Sequence, residues 1–162
     1  MPIGGHKDFD ACVAANRGKV DDPEGYCHSL ERKAKGIAAI EKVMPEERLV
    51  FGWAYMCKTA DGQRVTDHSG EFIEPEDYEP AAYEFVEDAR IANDMHAGDV
   101  TGRLVESMFF SPSKCRALGL PDDALPSGHW VGFRLDESSF AKVKTGDRLM
   151  FSIEGQAIGT AA

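Results

Sequence analysis

His96 and Ser152 supply a candidate base and a candidate nucleophile. A serine hydroxyl is a weak nucleophile until a positioned imidazole takes its proton, so hydrolytic chemistry needs the two side chains brought together in space, whatever their separation along the chain. His96 stands in Asn93-Asp94-Met95-His96-Ala97-Gly98, at the end of a run with helical spacing, where a loop side chain can reach across a cleft. Ser152 stands in Leu149-Met150-Phe151-Ser152-Ile153-Glu154-Gly155. Strand alternation there puts Leu149, Phe151 and Ile153 on one face and Met150, Ser152 and Glu154 on the other. Glu106 is the candidate third member: alternation sets it beside Leu104, Met108 and Phe110, and a carboxylate on an apolar face needs a partner. An imidazolium would supply that partner, and a group that orients the base is what triad logic requires.

The elements that must hold these residues can be traced from period and punctuation. Leu49 to Cys57 and Val65 to Ile73, separated by Asp61-Gly62, predict a β-hairpin. Pro75 to Asn93 is acidic at its start and spaces Tyr78, Ala82, Phe85 and Ala89 along one helix face. Strands are expected at Val100 to Phe110, His129 to Leu135 and Arg148 to Ile158. Two short helices lie between them, one opened by Ser111-Pro112 and closed by Gly119, the other opened by Asp136 and closed by Gly146. Upstream, Phe9, Cys12 and Val13 share a face, and Asp22-Pro23-Glu24 opens a second short helix carrying Tyr26, Cys27 and Leu30. A weak stretch from Gly36 to Pro45 is read as a linker, which divides the chain into an N-terminal helical segment (1–44) and a main domain (45–162). Five or six strands with interspersed helices predict an α+β domain built around a small curled antiparallel sheet or barrel.

The remaining histidines and cysteines carry weaker signals. His68 is read as support for the Asp67 to Gly70 turn, and His129 as a strand-surface residue beside Trp130. Cys12, Cys27, Cys57 and Cys115 are scattered without a Cys-x-x-Cys, so reduced thiols are the default. Cys12, Cys27 and His28 are too few for a zinc site, which leaves helix packing or a disulfide for the two cysteines and predicts no bound metal. Gly155, and Gly132 in Trp130-Val131-Gly132-Phe133, are places where backbone could approach a substrate strand.

Composition bounds the rest. A chain of 162 residues, 43% of them hydrophobic, has room for one ordinary domain and a small appendage. Twenty-eight acidic residues against 18 basic ones give a formal charge of −10, and no basic stripe is present, which argues against a nucleic-acid partner. Met1-Pro2-Ile3-Gly4-Gly5-His6-Lys7 has no apolar core of a signal peptide, and no apolar run is long enough to span a membrane, so a soluble, unexported protein is expected.

Six segments, in order, resemble the phage serine proteases of the XkdF-like group, relatives of the prohead (capsid-maturation) proteases. They are Phe51-Gly52-Trp53-Ala54-Tyr55, Asp67-His68-Ser69-Gly70-Glu71-Phe72-Ile73, Met95-His96, Leu104-Val105-Glu106-Ser107-Met108, Gly128-His129-Trp130-Val131-Gly132-Phe133 and Met150-Phe151-Ser152-Ile153-Glu154-Gly155. The resemblance implies a fold shared with the herpesvirus assemblin proteases and a catalytic pair at His96 and Ser152, with an acidic residue near Glu106 as third member. Assemblins place a second histidine after the serine; none follows Ser152 here, which disfavours His68. The implied activity is a cofactor-free serine endopeptidase that processes scaffold and major capsid protein, and itself, inside a procapsid assembling in the host cytoplasm. Self-association is compatible with that role. The competing reading is a non-catalytic scaffold or assembly module of the same fold.

Overall fold

Five α-helices and a five-stranded sheet are the main elements of the structure, a computed structural model that describes residues 5–20, 23–34, 40–66, 70–94 and 97–153. Helix α1 (Phe9–Asn16) starts at Asp8, whose carboxylate accepts the Ala11 N–H at 2.9 Å. Helix α2 (Pro23–Ala34) has proline and Glu24 in its first turn. A disulfide joins Cys12 to Cys27, both fully buried, and the Phe9 and His28 rings lie 4.3 Å apart. The default of reduced thiols therefore fails for this pair. Two helices this short bury too little to hold each other, and the covalent tie supplies what their packing lacks.

The sheet has the order β1 (Ile40–Met44), β2 (Leu49–Lys58), β5 (Ser127–Leu135), β4 (Ala97–Phe110), β3 (Ile91–Asp94), with every pairing antiparallel. Among the described residues it is open: an α+β fold, with a sheet that does not close into the barrel allowed for by the sequence. Val50, Val131, Phe133 and Leu135 point from one face onto Phe140 of α5 (Glu137–Thr145) and onto Phe85. Further along the same face Cys57 and Phe109 pack on Tyr78 and Ala82 of α3 (Pro75–Glu84). The other face carries Trp53, Met56, Phe110 and Trp130, partly covered by Val65. Two glycines permit these layers. A Cβ on Gly128 would lie 2.4 Å from the Tyr55 carbonyl oxygen, and one on Gly132 would lie 2.5 Å from the Phe51 ring. Gly132 thus admits an aromatic ring of its own sheet, where a substrate strand was considered.

Local punctuation works as read at α5, where Asp136 caps the Ser139 N–H and Gly146 closes the helix at φ 82°. It works again at α4 (Pro112–Ala117), capped by Ser111. Three expectations need correcting. The helix from Pro75 does not run to Asn93: it passes into one π turn at Phe85–Ala89, stops at Arg90 in the left-handed region (φ 58°), and Ile91–Asp94 becomes the edge strand β3. The stretch read as linker contains β1. Within the described residues the second hairpin leg comes down to the Lys58–Arg64 bridge and a Val65 N–H to Cys57 carbonyl bond of 2.9 Å, and 67–69 lie outside them.

Candidate functional site

The chain reaches the Ser152 segment from α5 and fastens it at two points. Arg148 Nε donates to Asp94 Oδ1 at 2.7 Å, and Lys142 Nζ, in the last turns of α5, binds Asp94 Oδ2. These two cations hold the Asp94 carboxyl below its usual range, Arg148 contributing most. One residue on, the Leu149 carbonyl accepts the Ile40 N–H at 2.9 Å. Phe151 then turns inward, its ring centroid 5.6 Å from that of Phe133. Ser152 follows with its residue exposed. The strand expected from Arg148 to Ile158 is a single bridge at Met150 within the described residues, and 154–162 lie outside them. Asp94, the anchor, is the last residue of β3; His96 lies outside the described residues, as does His68.

Glu106 shares its face with Met108 and Phe110, as alternation gave it, but not with Leu104. The β4–β5 register shifts between Leu104, opposite Phe133, and Glu106, opposite Gly132. That bulge turns Val105 to solvent, leaves Leu104 on the core, and moves Glu106, with Met108, Phe110 and Trp130, to the outer face. There Glu106 Oε1 accepts the Trp130 indole N–H at 2.8 Å. The carboxylate does find a partner, as an acid on an apolar surface must, and the described partner is an indole.

His129 is not a surface residue. It is 2% exposed, between Tyr78 and Phe85 on the core face, and burial pushes its pKa down to about 4. Its Nε2 lies 2.8 Å from Ser107 Oγ and its Nδ1 3.4 Å from the Tyr78 hydroxyl. Both ring nitrogens of a neutral buried imidazole are thereby partnered. The signal was present in the sequence, because His129, Val131, Phe133 and Leu135 alternate on one face and three of the four are core residues. Ser107 also lines a cleft of about 310 Å³ between α3 and β4, with Ala82, Val86, Met108 and Phe109 as its apolar part and Tyr83, Glu87 and Lys114 as its polar part.

The thiols offer no rival nucleophile or metal site. Burial pushes the Cys57 thiol up to about 12, so it stays protonated. Cys12 and Cys27 are spent in their disulfide, and no group of three or more His, Cys, Asp or Glu residues with metal-binding geometry occurs among the described residues. No described helix is long and apolar enough to cross a membrane. No protein-family model, curated protein or solved structure matches the chain.

Proposed function

We propose that this chain is a serine endopeptidase of the prohead-maturation type, with Ser152 as nucleophile, His96 as general base and Glu106 as the acid that orients the base. The observation that supports it is the Asp94 anchor. Arg148, four residues before Ser152, and Lys142 both bind the carboxylate of Asp94, two residues before His96. Sequence-distant stretches that lead to a base and to a nucleophile are thus tied to one another by two charge-assisted bonds, the kind of juxtaposition a hydrolase needs. In the reaction, the Ser152 hydroxyl adds to the scissile carbonyl as its proton passes to His96. The protonated imidazole then returns that proton to the departing amine, and water repeats the sequence to free the acyl-enzyme. Glu106 accepts on two oxygens, so its bond to Trp130 leaves capacity for a second donor.

In this reading the α+β sheet is an assemblin-like protease domain, and the Ser152 segment beside Ile40 is the strand that continues the sheet past β1. Scaffold protein and major capsid protein are the substrates, and the site of action is the procapsid assembling in the host cytoplasm. The test is co-expression of the chain with the scaffold and capsid proteins of its own virus. Processing of either protein that stops in Ser152→Ala and in His96→Gln supports the proposal. Equal processing in both variants, or no processing by the parental chain during assembly, leaves the non-catalytic assembly module in its place.

A further inference from the structure

A second serine and histidine touch within the described residues, well away in sequence from the proposed endopeptidase pair. Ser107 on β4 and His129 on β5 face the core side of the sheet, with Oγ to Nε2 at 2.8 Å, which is nucleophile-to-base reach. A third group addresses the far side of the ring: the Tyr78 hydroxyl of α3 lies 3.4 Å from Nδ1. With Nδ1–H donating to the Tyr78 hydroxyl oxygen, Nε2 is left as the acceptor that a serine proton needs. His129 is buried, whereas Ser107 is half-buried and opens on the 310 Å³ cleft. Ala82, Val86, Met108 and Phe109 give that cleft an apolar part, and Tyr83, Glu87 and Lys114 line the rest of it.

We propose that Ser107 is an acyl acceptor, with His129 as its base, for small esters of apolar acids that enter this cleft. Ser107 Oγ forms the new bond to the acyl carbon while its proton moves to His129 Nε2. The ester C–O bond breaks with its electron pair on the leaving oxygen, which takes the proton back, and water later releases the acid by the same route. The structure also limits the substrate class. Among the described residues the ring's hydrogen-bond partners are the Ser107 and Tyr78 hydroxyls, with no carboxylate to support an imidazolium. A base of that strength suits leaving groups that depart with little help, so esters qualify and peptide bonds do not. This chemistry uses a different nucleophile and base from the proposed endopeptidase.

The experiment uses the full chain carrying Ser152→Ala, which removes the proposed endopeptidase nucleophile, and p-nitrophenyl butyrate as the probe. The expected result is a burst of p-nitrophenolate near one equivalent per chain, with the butyryl group mapped to Ser107 by peptide mass spectrometry. Adding Ser107→Ala abolishes both, and adding His129→Gln slows acylation by about a hundredfold or more. Should His129→Gln fail to fold, Tyr78→Phe keeps the ring packing while removing the hydroxyl beside Nδ1, and slows acylation too. No butyryl group on Ser107 would overturn the proposal. So would an acylation rate unchanged in whichever of the two ring-side variants folds.

Discussion

Acidification from pH 7 to 4 should destabilise this protein through one residue, His129. Its neutral ring is buried among Tyr78, Phe85 and Ser107, and its pKa lies near 4 in the folded chain against about 6.5 when unfolded. The unfolded state therefore binds the extra proton first, so the contribution is fully present above pH 6.5 and is lost as pH falls towards 4. A gap of about 2.5 units at 1.36 kcal/mol each, less the half-titration of the folded form at pH 4, comes to about 3 kcal/mol. Asp61, Glu74, Asp94 and Asp136 also titrate with folded values held below their usual range, but their losses fall lower, as pH drops through the carboxylate values. The assay is urea unfolding at half-unit pH steps for the parental chain and His129→Gln. The parental chain should lose about 3 kcal/mol more between pH 7 and 4 than the variant does. Parallel pH profiles would refute the reasoning, because they would mean that His129 titrates alike in folded and unfolded chains.

Glu106→Gln should keep the sheet and its Trp130 contact, since an amide oxygen also accepts, yet cut scaffold cleavage by up to about ten-thousand-fold; the double variant with Ser152→Ala should be little worse than the serine variant alone. Cleavage near the parental rate in Glu106→Gln would remove it from the triad. Reducing the Cys12–Cys27 disulfide, which closes a separation of 15 residues, should cost α1 and α2 about 3 kcal/mol, seen as faster amide exchange confined to 9–34; unchanged exchange there would contradict it. Gly128→Ala forces a Cβ against the Tyr55 carbonyl and should destabilise the domain by about 3 kcal/mol in thermal or urea unfolding, whereas a neutral effect would show that β2 and β5 lie further apart than described.

What was legible in the sequence is what is decided locally. The caps at Asp136 and Ser111, the stop at Gly146 and the apolar face of Tyr78 and Ala82 all follow from a few neighbouring residues. What was missed depends on partners far along the chain. Ile91–Asp94 continues a plausible helical pattern and becomes a strand because β4 offers its edge. Glu41-Lys42-Val43 has too little apolar character to announce β1, which is stabilised by pairing with β2. The bulge at Val105 cannot be read from alternation, which assumes that none exists, and one extra residue is enough to part Leu104 from the face that Glu106, Met108 and Phe110 share. Of the candidate site, sequence named Ser152 and Glu106 but could not show what anchors one or partners the other. It passed over Asp94, whose two cations are eligible only once α5 and β3 are in place. His129 is legible by alternation with Val131, Phe133 and Leu135, which places it in the core and not at the strand surface beside Trp130.

The central claim, that Ser152 is an activated nucleophile served by His96, is tested most directly by mapping the adduct of a fluorophosphonate. The parental chain should carry the phosphonyl group on Ser152, and labelling of that residue should be lost in Ser152→Ala and fall by about a hundredfold or more in His96→Gln. A chain that shows correct folding but leaves Ser152 unlabelled, or labels it equally with and without His96, would contradict the account.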